Sequence, residues 1–337
     1  MATSAKPKVL LLGKIDHAKE QWNSLDDVAE LIYPQQKNRD EFIKACKSGE
    51  FDGAVAAYRT FVSAAQTGLI DEELCTALPE SLKFIAHCGA GYDQIDTTAC
   101  TTHKILVSNV PEVADDATAD TAVFLILGAL RNFNPSLVAL RQTKWRGSPP
   151  PVLGHDPEGK VLGILGMGGI GRNMKKKMEA FGMQVQYNNR RELSEELSGG
   201  AKYVSFDELL KTSDVLSLNL PLNPNTRHII GAAEFAKMKP GVVLVNTARG
   251  AVIDEAALVN ALESGQVASA GLDVYEEEPK IHPSLVKNER CLLLPHMGTW
   301  CVETQKKMEI WTIENVRSAV TEGKLKSVIA EQKDVKF

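Results

Sequence analysis

Three side chains able to hold anions and move protons stand just beyond apolar, strand-like runs: Arg249, Glu278 and His296. Arg249 follows Val243-Leu244-Val245-Asn246-Thr247-Ala248 and precedes Gly250. Glu278 follows Gly271-Leu272-Asp273-Val274-Tyr275-Glu276-Glu277 and precedes Pro279. His296 follows Leu292-Leu293-Leu294-Pro295 and precedes Met297-Gly298. A guanidinium grips carboxylate and carbonyl oxygens with a planar fork. An imidazole gives a proton to an oxygen that gains charge, and a carboxylate bonded to its other ring nitrogen fixes the tautomer. Together the three suit hydride transfer between a nicotinamide and a 2-oxo acid. Singly, each has a plainer reading: a surface ion-pair arginine, one of three solvated glutamates, a structural histidine. Their common placement past strand ends, where open α/β sheets put their ligands, argues for one site.

The element that must position them is the stretch Val161–Arg172, an apolar strand running through Gly166-Met167-Gly168-Gly169-Ile170-Gly171 into a helix. Gly166 permits the sharp turn, Gly168 lets a pyrophosphate approach the backbone, and Gly171 lets the helix pack closely on the strand. The helix N-terminus offers unpaired N–H groups and partial positive charge to phosphates. A bare G-x-G-x-x-G arises often by chance, but here helical spacing follows (Ile170, Met174, Met178, Phe181), and a second apolar segment, Met183–Tyr187, comes at βαβ distance. That segment ends in Asn188-Asn189-Arg190-Arg191, with no carboxylate to receive an adenosine ribose. Neutral Asn189 tolerates a 2′-phosphate and Arg190 and Arg191 pair with it, so NADP(H) is the expected cofactor and NAD(H) the alternative. The plainer reading is a solvated arginine loop.

Strand and helix patterns alternate along the whole chain. Lys8–Gly13, Leu31-Ile32, Phe51–Ala57, Leu82–His87 and Ile105–Ser108 read as strands of a first α/β series, with an amphipathic stretch near Asp71–Ala77. The glycine-rich turn Cys88–Asp93 offers exposed N–H groups to a small carboxylate. Pro111 cannot continue a central strand, so the chain is expected to cross into a second domain there. The apolar helix Asp115–Arg131 is expected to be buried between domains or subunits, and Trp145–Pro151 to form a linker or partner-contacting arm. Strands follow at Val161–Leu165, Met183–Tyr187, Tyr203–Ser205, Val215–Leu218, Val242–Asn246, Ala268–Val274 and Cys291–Leu294, which implies an α/β fold with a doubly wound parallel sheet. The helical pattern Val302–Glu322 would carry the chain back to the first domain. The boundaries expected are 1–110 plus 302–337 for a discontinuous substrate-binding domain, and 111–301 for the dinucleotide-binding domain.

At 337 residues the chain suits two domains, and 44% hydrophobic with 24% charged residues is ordinary for a globular protein. A net charge of -5 argues against a nucleic-acid partner held through phosphates. The longest apolar run, near Ala122–Leu130, falls short of the roughly 20 residues that span a membrane. The start Met1–Pro7 lacks an apolar signal region, so a cytoplasmic location is expected. Six cysteines without a C-x-x-C pair read as reduced thiols, and the seven histidines show no metal-ligand spacing, so no metal is assigned.

At these residues the chain resembles the D-isomer-specific 2-hydroxyacid dehydrogenases over nearly its whole length. The matching segments are Gly89–Asp96, Asp116–Asp120, the glycine turn, Leu220–Thr226, Asn246–Gly250, Gly271–Pro279 and Pro295–Gly298. The resemblance implies two Rossmann-like domains with an active-site cleft between them, and a homodimer built on the cofactor domain. It implies Arg249 as substrate binder, His296 as acid/base and Glu278 as its partner. Asp273 would hold the nicotinamide carboxamide, and Gly166, Gly168, Gly169, Ile170, Gly171, Leu220, Pro221, Thr226, Thr247, Ala248 and Gly298 would line the cofactor. The amides of Ala90 and Gly91 would hold the substrate carboxylate. Within the family the chain looks most like glyoxylate/hydroxypyruvate reductases, and it also resembles D-mandelate dehydrogenases acting on bulkier 2-oxo acids. Trp300, in Thr299-Trp300-Cys301, departs from the small residues usual after the histidine and is expected at the pocket, as is Arg59. A reading of another class, a nicotinamide-sensing corepressor-like scaffold, shares the same three residues; against it stand the NADP-type loop and the lack of a Pro/Ser/Gly-rich tail.

Overall fold

The structure, a computed structural model, describes residues 6–337. The signal-region reading falls largely on Met1–Ala5, outside the described residues. The chain forms two compact units, Met1–Ala114 with Cys301–Phe337, and Asp115–Trp300. These divisions replace the expected 110/111 and 301/302. Val110 and Ala114 are buried in one cluster with Met308 of the C-terminal helix, so the proline turn at Pro111 stays with the first unit.

Unit 1 holds five parallel strands, β1 (Lys8–Leu12), β2 (Glu30–Ile32), β3 (Ala54–Thr60), β4 (Phe84–Cys88) and β5 (Leu106–Ser108), in the order β2-β1-β3-β4-β5. Its inner strands are largely buried on both faces because helices cover both, as parallel sheets require, with the polar side chains of Arg59 and His87 buried among them. One cover is the helix Val302–Glu322, which lies on β3 and β4. Buried Glu309 on this helix accepts hydrogen bonds from the amides of Asp16, His17 and Ala18, tying the chain's last long helix to its first loop.

Unit 2 holds seven parallel strands: β6 (Val161–Leu165), β7 (Gln184–Asn188), β8 (Lys202–Tyr203), β9 (Val215–Leu218), β10 (Val242–Asn246), β11 (Val267–Leu272) and β12 (Cys291–Leu293). Their order is β12-β11-β10-β9-β6-β7-β8, so the winding reverses between β6 and β9. Leu162, Ile164, Leu216, Leu244 and Val245 are completely buried along these strands. Burial of each such side chain contributes roughly 1.5–3 kcal/mol.

The helix Asp115–Leu130 covers β10 and β11 of its own unit. A Cβ on Gly271 would come within 2.8 Å of Leu125 Cβ, and one on Gly128 within 2.3 Å of Leu292 Cδ2. Its apolar surface therefore serves this sheet, while Phe124 is exposed. The helix after the glycine turn ends at Glu179, so Phe181 falls beyond it and is exposed instead of lying on the expected apolar face.

Candidate active site

The carboxyl ends of β6 and β9 flank the point where the winding of unit 2 reverses, the place where an open sheet leaves a crevice. Gly166 there has φ +92°, a backbone that a side chain rarely adopts, and donates its N–H to Asn188 O at 2.9 Å. A Cβ on Gly168 would meet nothing within 4 Å, so the space above the turn is open. Gly168 places no side-chain cap on the helix Gly169–Glu179, and the Asp115 carboxylate lies against Gly169 in its first turn, where a Cβ would fall 1.6 Å from Asp115 Oδ2. Ile170 and Gly171 continue this first turn, and Gly171 sits against Ile164 and the Gly166 carbonyl, which fixes how closely helix and strand pack.

Around the turn, Asn189 accepts a hydrogen bond from Met167 N at 2.6 Å, so its side chain also buttresses the glycine loop. Arg190 and Arg191 are exposed beside it. Leu220 and Pro221 follow β9, and Thr226 closes their loop by donating its hydroxyl to Pro221 O at 2.6 Å. After β10, Thr247 is buried with no partner for its hydroxyl oxygen, and the Oδ1 of Asn219 after β9 is likewise buried without one. Two orphaned polar atoms and an open glycine turn at one sheet edge fit a polar dinucleotide. Asn219 escaped the sequence reading because a single asparagine after a strand carries no pattern.

The three chemical side chains come together from three loops. Gly250 is the hinge of the arrangement: a Cβ there would lie 1.8 Å from the Tyr275 carbonyl carbon, so only glycine lets the loop after β10 cross the loop after β11. That crossing brings Arg249 near Glu278, whose carboxylate feels the guanidinium charge. Arg249 is steadied by Asn246 Nδ2, which donates to its carbonyl at 2.8 Å, and its own Nη1 donates to Ala248 O at 2.7 Å. Glu278 accepts from Tyr275 N at 2.9 Å with one oxygen and bonds His296 Nδ1 at 2.8 Å with the other. Burial pushes the Glu278 carboxyl up, but the hydrogen bond and charge of His296, the Tyr275 amide and Arg249 outweigh it, and the pKa falls below its ordinary value.

His296 has φ +57°, unusual for a non-glycine residue, and Asp273 holds this backbone in place. The Asp273 carbonyl accepts from His296 N at 2.8 Å, and its carboxylate accepts from Met297 N at 2.6 Å and Gly298 N at 2.9 Å. Burial raises the Asp273 carboxyl, against the two amides and the His296 charge that lower it. Asp273, Glu278 and His296 thus form one hydrogen-bonded assembly beside Arg249.

Of the two residues expected at the pocket, Arg59 lies in unit 1 and Trp300 in unit 2. Arg59, on β3, is completely buried, and its guanidinium donates to His87 Nδ1 at 3.1 Å and to Gln94 Oε1 at 2.6 Å. Trp300 is 72% exposed. In the turn after β4, the carbonyls of Gly89, Ala90 and Gly91 accept from Val110 N, Asn109 Nδ2 and His87 Nε2 respectively.

A doubly wound sheet with an open glycine turn at its reversal, and an acid–imidazole pair with an arginine at the same edge, is the frame of a dinucleotide-dependent oxidoreductase. The model of the D-isomer specific 2-hydroxyacid dehydrogenase NAD-binding domain matches residues 123–298. The chain is 54% identical to 4-methyl-2-oxopentanoate reductase A of Aspergillus oryzae, over 98% of this chain and 99% of that one. It is similar to a crystal structure of a glyoxylate reductase from Paecilomyes thermophila, with TM-score 0.95 and 53% identity over 97% of this chain and 99% of that one. It also resembles Rhodotorula graminis D-mandelate dehydrogenase, with TM-score 0.90 and 32% identity over 97% and 98% of the two chains. The chain belongs to the D-isomer specific 2-hydroxyacid dehydrogenase family and is an oxidoreductase.

Proposed function

We propose that this chain reduces a small 2-oxo acid, of the glyoxylate or hydroxypyruvate type, to the D-2-hydroxy acid with NADPH. The 2.8 Å bond between His296 Nδ1 and Glu278 carries the reading. It fixes the ring so that Nε2 is the nitrogen that gives a proton to the carbonyl oxygen, while Glu278 stabilises the imidazolium. Arg249 holds the carboxylate and polarises the carbonyl of the same substrate. The Ala90 and Gly91 amides, whose neighbouring carbonyls are all tied back into unit 1, form a nest that takes a carboxylate. A bound reduced nicotinamide supplies the hydride. Asp273 keeps lone pairs beyond those used by Met297 and Gly298, with which it accepts from the carboxamide. Arg190 and Arg191, exposed and with no acid at Asn189, favour the 2′-phosphate of NADPH.

The test is initial rates of NADPH and NADH consumption with glyoxylate, phenylglyoxylate and 4-methyl-2-oxopentanoate. NADPH with glyoxylate is expected to give the highest kcat/KM; a higher value with NADH counts against the cofactor assignment. His296→Ala and Arg249→Ala are expected to lower kcat/KM by about 10²–10⁴-fold with NADPH affinity retained. Near wild-type turnover in either would overturn its role. Asn189→Asp with Arg190→Ala should move preference toward NADH, since aspartate keeps the acceptor for Met167 N but repels a 2′-phosphate. The name of the Aspergillus oryzae relative favours a second reading, a branched 2-oxo acid, which would show as preference for 4-methyl-2-oxopentanoate.

A further inference from the structure

Parallel pairing of β3 with β4 sets Arg59 directly beside His87, and both side chains are buried. Burial lowers the Arg59 guanidinium to about 10, which still leaves it charged at neutral pH. A guanidinium has only donors, so the 3.1 Å contact between Arg59 Nη1 and His87 Nδ1 makes Nδ1 an acceptor. The ring proton of a neutral His87 then sits on Nε2, which donates to the Gly91 carbonyl at 3.0 Å. Gly89 makes room for this: a Cβ there would fall 2.6 Å from His87 Nε2.

A trans peptide directs its N–H opposite to its carbonyl. Tying the Gly89, Ala90 and Gly91 carbonyls to Val110 N, Asn109 Nδ2 and His87 Nε2 turns the amides of Ala90, Gly91 and Tyr92 the other way. No hydrogen bond from the Ala90 or Gly91 amide is made among the described residues. We infer that His87, set in its Nε2–H tautomer by Arg59, is a positioning residue that holds the Gly89–Tyr92 turn in the form that receives the substrate carboxylate. The inference rests on the nest proposed above. Arg59 acts in it from behind the turn, through His87, with Gln94 as its second anchor.

The experiment compares wild type, His87→Leu and His87→Gln by steady-state kinetics with the best 2-oxo acid, competitive inhibition by oxamate, NADPH affinity and Tm. Glutamine offers an acceptor to Arg59 and a donor to Gly91; leucine fills the volume and offers neither. Leucine is expected to raise KM and the oxamate inhibition constant about tenfold, with a smaller loss in kcat and unchanged NADPH affinity, and glutamine to restore most of both. Unchanged KM in the leucine variant overturns the inference. So does a glutamine variant as impaired as leucine, because volume alone would then explain His87. Should the leucine variant not fold, Arg59→Lys, which keeps charge but loses the fork, is expected to raise KM about threefold, and an unchanged KM overturns the inference. Wild-type protein inactive on every 2-oxo acid would sink the proposed function and this inference with it; wild-type turnover with an insensitive KM sinks the inference alone.

Discussion

At Glu278 a single carboxylate does two jobs, orienting His296 and bracing the loop after β11 through Tyr275 N. Its depressed pKa links the site to stability. The ionised form is favoured in the folded state, so its stabilising contribution is fully present above the unfolded value of 4.5 and is lost as pH falls through the lower folded value. Glu278→Gln should therefore lower Tm at neutral pH, and the gap to wild type should narrow as the solution is taken from about pH 6 to about pH 3. A Tm difference constant over that range would show that the charge of Glu278 contributes nothing to folding. Arg249, Glu278 and His296 were legible as residues because each is a chemically apt side chain after an apolar run. The burial of Arg59 was not legible, since its partners His87 and Gln94 lie on separate segments that only sheet pairing assembles.

Between elements, the crossing of the loops after β10 and β11 decides where Arg249 stands. Gly250→Ala would force the Tyr275–Glu276 backbone away from it. The expected result is a loss of about 1–3 kcal/mol in stability together with a marked drop in kcat/KM, read by thermal unfolding and by turnover. Gly231→Ala is the control, since a Cβ there meets only ordinary contacts, the nearest at 3.6 Å, and should change stability by less than about 1 kcal/mol. If the two variants behave alike, the loop crossing is not what orders the site. Periodicity found the twelve strands, with shifts of a residue or three at the ends: the strand expected from Phe51 begins at Ala54, and that expected from Leu82 begins at Phe84; helices such as Arg39–Lys47, Phe133–Arg141 and Glu255–Glu263 were not assigned individually. Helical turns and caps next to strands blur such ends, because the same apolar residues pack in either conformation.

On the scale of the molecule, unit 2 shows several exposed large apolar side chains among the described residues. Leu137 and Leu140 are exposed on the helix Phe133–Arg141, as are Trp145, Val152 and Leu153 in the segment that follows, with Leu153 91% exposed. Large exposed apolar side chains are common at protein interfaces, and, in keeping with the homodimer that the family resemblance implies, we propose that a second copy of the chain covers these. Leu137→Glu combined with Leu153→Glu should halve the mass measured by light scattering, whereas a wild-type monomer would refute the assignment. The sequence by itself determined the alternating α/β pattern, the glycine turn and the chemical types at the strand ends, because these are local: periodicity, conformational freedom and side-chain functional groups act within a few residues. Tertiary structure decided the strand orders of the two sheets, which residues meet across loops, and that Arg59 bonds His87 and Gln94. Those outcomes depend on parallel pairing between segments far apart in the chain, and no short stretch of residues encodes it.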